Sequence, residues 1–224
     1  MRFLQFAVFY LGIISFAMAQ DQNPELKRVM RFESAVNKIE EKATHMDVSA
    51  VHTVFVGSSS FTRWVDFESD FNSEEVVNNG FGGSRLSDVI FYFDKVITPF
   101  SPKQIIVYEG DNDIASGMSA KDYLKDVKTF IRMVEIKHPG THISFLSPKP
   151  SPSRRELTEE FVKASQGLAM LASRTPGVDF IDVGQVMYDI EGEILKEIWV
   201  SDSLHMNRAG YNLWAPIVRS YIRR

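Results

Sequence analysis

Thr53-Val54-Phe55-Val56-Gly57-Ser58-Ser59-Ser60 is the stretch on which the fold turns. Four β-favouring residues, three of them apolar, stop abruptly at a glycine and three serines, and the run is too short and too uniformly apolar for a strand with one wet face. A strand from Thr53 to Val56, buried on both sides and turning at once into a helix, is the expectation. Working outward, Val76 to Asn78, Gln104 to Tyr108, His142 to Leu146 and Val178 to Asp182 have the same character, giving five strands expected to be buried on both faces. Amphipathic stretches separate them. Ser84 precedes an apolar stripe from Leu86 to Ile97, and Ser119 with Asp122 forms a capping-box pattern ahead of Tyr123, Val127, Phe130 and Val134. Ser153 with Glu156 repeats that pattern before Leu157, Phe161, Leu168 and Leu171. A last helix is expected from Asn207, with Tyr211, Trp214 and Val218 facing inward and Pro216 bending it. Strands and helices alternating from about residue 50 onward predict an α/β fold with a central, mostly parallel five-stranded sheet covered by helices.

Upstream of that body the chain reads differently. Arg2, an apolar run from Phe3 to Phe16 and the small residues Ala17-Met18-Ala19 make residues 1–19 a signal peptide cleaved after Ala19, and hence a secreted or periplasmic protein. A retained anchor is the rival, but the run is shorter than the roughly 20 residues a bilayer requires, and Asp21, Gln22 and Asn23 follow it. Residues 20–50 form an N-terminal helical segment, with one long charged helix expected from Pro24 to His45 that packs on the body. Residues 51–224 form the main domain.

The chain has no cysteine, so neither a disulfide framework nor a lipid attachment site is available, and the fold must hold by packing. The formal net charge of −4 argues against nucleic acid or an anionic membrane as principal partner.

In an open parallel sheet, chemistry collects just beyond the carboxyl ends of the strands. Four such junctions are unusual. Gly57-Ser58-Ser59-Ser60 displays hydroxyls at a strand-to-helix turn, where the next helix's amides can hold a negative oxygen. Small residues are ordinary at such turns, and a nucleophile elbow requires glycine where Phe61 stands, which disfavours the α/β-hydrolase fold. Asn79-Gly80-Phe81-Gly82-Gly83-Ser84 permits tight turns with exposed amides, or simply a helix start capped by Ser84. A dinucleotide fingerprint fails at Arg85, and no Walker lysine occurs. Glu109-Gly110-Asp111-Asn112-Asp113 offers an asparagine amide as donor to a developing oxyanion, while the glycine and distal glutamate of a calcium loop are missing. Asp202-Ser203-Leu204-His205 pairs a carboxylate with an imidazole, an arrangement that fixes the ring's tautomer. No Cys/His cluster suggests a metal, and no cofactor is expected.

Taken together and in order, these four segments resemble the blocks of the SGNH hydrolases, also called GDSL-like esterases and lipases. The likeness covers the chain after residue 50. It implies a three-layer α/β/α sandwich of flavodoxin-like topology and a carboxylic ester hydrolase, which the expected signal peptide makes a secreted one. It also implies that Ser59 is the nucleophile, that Asp202 and His205 complete its triad, and that the oxyanion hole comprises the amides of Ser59 and Gly83 with the side chain of Asn112. The family's usual Gly-Asp-Ser is Gly57-Ser58-Ser59 here, which leaves the triad intact but removes an aspartate that supports the turn. Relatives act on acetylated sugars, lysophospholipids, short acyl esters and thioesters; without a long apolar lid, a small acyl group on a carbohydrate is the expected substrate. Phe61, Trp64 and the loop from Lys149 to Arg155 are possible borders of the pocket, though structural roles are expected of each. Two other readings stay open: a catalytically weak or inactive carbohydrate- or lipid-binding protein on the same scaffold, and an anion-binding protein that holds phosphate at Gly82 and Gly83.

Overall fold

The computed structural model describes residues 24–71 and 75–223. The expected signal peptide lies outside the described residues. The chain divides into two compact units, Met1–Ala35 and Val36–Arg224. Where one helix was expected from Pro24 to His45 there are two, α1 (Pro24–Met30) and α2 (Glu33–Thr44). At the break the Phe32 N–H bonds the Val29 carbonyl, and this three-residue bond tightens the turn and ends the α-helical ladder. Within the larger unit, Lys95 Nζ reaches Asn37 Oδ1 and Glu40 Oε2, each at 3.0 Å, and ties α2 to the main body.

Five strands form one sheet in the order β2-β1-β3-β4-β5: β1 (Thr53–Gly57), β2 (Val76–Asn78), β3 (Gln104–Tyr108), β4 (His142–Leu146) and β5 (Val178–Ile181). All neighbours are parallel, with Val54 opposite Val77 and Ile105, and Ile143 opposite Ile105 and Val178. The three central strands are almost wholly buried, as their uniform apolarity requires. The edge strands are not: Val76, Asn78, Asp179 and Phe180 are half-buried, because a strand with one neighbour is covered less completely. The chain runs from β1 outward to β2 and then returns to the far side of β1 for β3. The strand order therefore reverses at β1 and β3, and loops leaving these two strands diverge to open a crevice.

Helices cover both faces: α3 (Ser59–Thr62), α4 (Phe67–Phe71), α5 (Leu86–Phe91), α6 (Phe93–Val96), α7 (Asp111–Ala115), α8 (Ala120–Lys137), α9 (Thr158–Ala172) and α10 (Arg208–Ser220). Successive strand residues point to opposite layers. Phe55, Ile106, Tyr108, Leu146 and Ile181 share one layer with Phe61, Trp64 and Trp214. There Phe55 meets Phe61, Phe67 and Phe71 at ring separations of 5.2, 4.9 and 5.0 Å, and Tyr108 meets Trp214 at 5.3 Å. On the other face Phe130 of α8 packs on Phe145 at 6.0 Å. Each such pair is worth about 0.5–1.5 kcal/mol beyond its buried area.

Helix starts divide into expected and unexpected. Ser119 caps α8 as its spacing predicts, accepting the Asp122 N–H at 3.2 Å, and Asn207 caps α10 by accepting the Ala209 N–H at 2.8 Å. Ser84 does not cap α5, since its hydroxyl donates to Glu109 at 2.5 Å instead; the Leu86 N–H donates to Asp113 at 3.0 Å and the Arg85 N–H to Asp88 at 2.9 Å. Nor do Ser153 and Glu156 cap α9, because Pro152–Leu157 forms a 3-10 stretch and the α-helix starts at Thr158. The stripe from Leu86 to Ile97 is two short helices with a break at Tyr92.

Candidate active site

The turn after β1 is possible only because residue 57 is glycine. Its φ is +150°, and a Cβ there would lie 2.2 Å from the Tyr108 carbonyl oxygen of β3. Ser58 stands at the N-cap of the short helix α3, its carbonyl accepting the Phe61 and Thr62 N–H groups at 3.0 and 3.2 Å. Ser59 is the first residue of that helix, where a backbone N–H has no intrahelical acceptor. Two distant side chains pin the turn: Tyr211 donates to the Ser60 carbonyl at 2.9 Å, and Asn78 Nδ2 to the Phe61 carbonyl at 2.8 Å. Ser58 Oγ is buried with no hydrogen-bond partner among the described residues, so the serine that replaces the family's usual aspartate supplies no side-chain support here.

His205 arrives from the opposite end of the sequence. Its Nε2 lies 3.0 Å from Ser59 Oγ and its Nδ1 lies 2.6 Å from Asp202 Oδ2. The other Asp202 oxygen accepts the N–H groups of Leu204 and His205, both at 2.9 Å, so one carboxylate shapes the loop and orients the ring. The His205 amide, and next its ring, hold the Asp202 carboxyl well below the usual carboxylate range. Ser203, between them, takes a left-handed φ of 54°, which curls the loop back so that the His205 carbonyl accepts the Val200 N–H at 2.9 Å.

Asn112, at the start of α7, has a fixed amide orientation. Its Oδ1 accepts from Arg154 Nη2 at 3.0 Å, and its Nδ2 donates to the Ser84 carbonyl at 2.9 Å. One of the two amide hydrogens is thereby used, and the other remains for the cavity the residue lines. Behind it Asp111 is buried and bonded to two cations, Lys149 Nζ at 2.6 Å and Arg154 Nη1, with the Tyr108 hydroxyl at 3.0 Å. Burial works against its charged form, but Lys149 and Arg154 outweigh that and keep the carboxyl below its ordinary value. Beneath the glycine turn lies a second acidic group, Glu109, which burial and then the neighbouring Asp113 push well above the usual range. Burial likewise raises Asp113 to about 6.

Position is secured by a clamp that no local sequence signal shows. Asp70 of α4 accepts both Arg208 Nη1 and Nη2 at 2.6 Å and Trp64 Nε1 at 2.7 Å, which fastens the first turn of α10, just after His205, to the segment just after Ser59.

Ser59, Gly82, Gly83, Asn112 and His205 line one open cavity of about 370 Å³, together with Arg63, Asp111, Arg154 and Leu204. All the sequence-derived site residues other than Asp202 therefore meet on one surface, and Asp202 stands directly behind His205. Phe61 and Trp64 belong to the core, fully or almost fully buried. The loop from Lys149 to Arg155, a possible border of the pocket for which a structural role was preferred, does reach the site, through Arg154 at the wall and Lys149 beneath it. Arg63, which follows Ser59 by one helical turn, was not singled out in the sequence. A second depression of about 300 Å³ lies past the ends of β4 and β5, between Pro148, Phe161, Asp182 and Tyr188. Among the described residues no group of three or more His, Cys, Asp or Glu is placed to hold a metal ion, and no helix is long and apolar enough to cross a membrane.

The all-parallel five-stranded sheet covered by helices is the α/β fold of the SGNH class. Residues 51–213 match the GDSL-like Lipase/Acylhydrolase family, and the chain belongs to that family, which makes it a hydrolase acting on esters. No curated protein sequence matches it. Among solved structures it is similar to a Streptococcus pneumonia protein designated a platelet activating factor, at 23% identity and a TM-score of 0.73 over 89% of this chain and 99% of that one. A GDSL-like lipase from Bacteroides thetaiotaomicron is similar at 16% identity and a TM-score of 0.68, covering 83% and 95%. A catalytic mutant of an acetylxylan esterase from Geobacillus stearothermophilus follows at 13% and 0.60, covering 76% and 93%. At these identities the likeness establishes the shared fold.

Proposed function

We propose that this protein is an exported carboxylic ester hydrolase that uses Ser59, His205 and Asp202 as a catalytic triad. The observation that carries the reading is the hydrogen-bonded chain from Asp202 through His205 to Ser59, 2.6 and 3.0 Å per link, at the edge of an open cavity. Ser59 Oγ bonds to the ester carbonyl carbon as His205 Nε2 takes its proton, and Asp202 stabilises the imidazolium. The amides of Ser59 and Gly83 and the free N–H of Asn112 receive the oxyanion. The C–O bond to the alcohol breaks as His205 returns the proton, and water then releases the acyl group by the same steps in reverse. Export is supported by the apolar run and small residues of positions 1–19. A small acyl group, acetyl foremost, on a carbohydrate fits the modest open cavity, and a structural neighbour is an acetylxylan esterase.

Turnover of p-nitrophenyl acetate tests the reading. Ser59→Ala should lower kcat by at least about 10⁴-fold while far-UV circular dichroism stays unchanged; undiminished hydrolysis would end the proposal. One observation favours a second reading, a weak or inactive binding protein: the orphaned Ser58 hydroxyl under the nucleophile's turn. Labelling by a fluorophosphonate probe separates the two, since it requires an activated Ser59.

A further inference from the structure

The cavity holds charges that the hydrolysis of a neutral ester does not use. The chain as a whole carries a net −4, yet two arginines line the pocket around Ser59. Arg63 is exposed and has no carboxylate partner among the described residues. Arg154 does have one, but it shares Asp111 with the buried Lys149, so two cations rest on a single carboxylate and one positive charge stays uncompensated. Asp202 is committed to His205 on the far side of the ring, and the buried Glu109 and Asp113 are engaged by the Ser84 hydroxyl and by the Leu86 and Gly110 amides, not by either arginine. Arg154 spends one Nη1–H on Asp111 and one Nη2–H on Asn112, which leaves three of its five N–H groups. The developing oxyanion is already served by amides, so the guanidinium groups address something else.

We infer that the preferred substrate carries an oxyacid group, carboxylate or phosphate, beside the ester that is cleaved, and that Arg63 and Arg154 receive it. The forked donors of arginine match either group, and a cavity of about 370 Å³ brings such a group and the reacting carbonyl within one small molecule. This rests on the esterase reading and narrows it to acidic alcohols or acidic acyl chains. Arg63 acts as a specificity residue. Arg154 does so while also positioning Asn112.

The test compares three acetyl esters of similar size: 4-acetoxybenzoate, 4-acetoxyphenyl phosphate and the uncharged 4-acetoxybenzamide. One or both anionic esters should exceed the amide in kcat/KM by about tenfold at low salt, a magnitude set by two partly exposed charge pairs. Whichever of the two leads identifies the group. Arg63→Gln should collapse the ratio of anionic to neutral kcat/KM severalfold, which a general loosening of the fold does not do, because that lowers both values together. Equal use of all three esters, or a ratio that Arg63→Gln leaves in place, overturns the inference while leaving the esterase standing. If no ester turns over at all, the esterase reading fails separately, and calorimetry on the Ser59→Ala protein decides the remainder. Tighter binding of 4-acetoxybenzoate or 4-acetoxyphenyl phosphate than of the amide, abolished by Arg63→Gln, supports the anion site; equal or absent binding overturns it.

Discussion

Replacing Asp70 by alanine removes the clamp between the Ser59 side of the cavity and the helix that follows His205. The carboxylate is buried and accepts three hydrogen bonds, one from the Trp64 indole and two from the Arg208 guanidinium. Trp64 is itself buried, so its N–H is left without a partner, at a cost of about 1–3 kcal/mol. Arg208 keeps 46% of its side chain exposed and retains Asp66 at 3.1 Å, so losing the Asp70 pair is discounted to about 1 kcal/mol. The sum, about 2–4 kcal/mol, corresponds to a fall in Tm of about 5–15 °C for a domain of this size. Urea unfolding of Asp70→Ala, Arg208→Ala and the double variant should give a coupling energy of about 1 kcal/mol, with unchanged m values. Activity toward p-nitrophenyl acetate should fall as well, because the first turn of α10 no longer fixes the end of the His205 loop. If the two single effects add to within about 0.5 kcal/mol, the pair is a surface contact and the positioning argument is wrong.

Asn112→Ala should lower kcat about 10²–10³-fold with little change in KM, since the lost donor acts on the oxyanion and not on the bound ester; steady-state kinetics showing less than a threefold loss would remove Asn112 from the oxyanion hole. Glu109 gives a pH signature in stability. Its folded pKa is raised by burial, so its favourable contribution is complete below the ordinary glutamate value and is lost as pH climbs through the folded one. Glu109→Gln, which keeps an acceptor for Ser84, should therefore gain in Tm relative to wild type as pH rises from 5 to 9, and a constant difference across melts in that range refutes a raised Glu109.

The sheet was legible because each strand is a short apolar run closed by polar or glycine-rich residues, and β2, β3 and β4 begin and end where those runs do. Helix breaks were less so. Nothing in an apolar stripe marks Tyr92 as the residue where α5 ends and α6 begins, and Ser153 with Glu156 has capping spacing but lies in a 3-10 stretch whose backbone is held by the Ser203 carbonyl. Ser59, Gly83 and Asn112 were found because they sit just beyond strand ends, and His205 through its spacing from Asp202. Arg63 escaped notice because its placement follows from one helical turn after Ser59, and an isolated arginine in sequence looks like any solvated surface charge. Asp70 and Arg208 lie in segments with no local feature that announces their pairing, and Glu109 is the first of three acids at the end of an apolar strand, whose burial depends on the helices closing over it.

Lys149 has one more consequence. Its side chain is 1% exposed and its ammonium is locked onto Asp111. An amine in that state is shielded from acylating reagents that modify ordinary surface lysines. Its modification requires a fluctuation that breaks the Asp111 pair and exposes the ammonium. A single covalent mark at this residue thus clocks the opening of the cavity floor in the resting molecule, with no substrate needed.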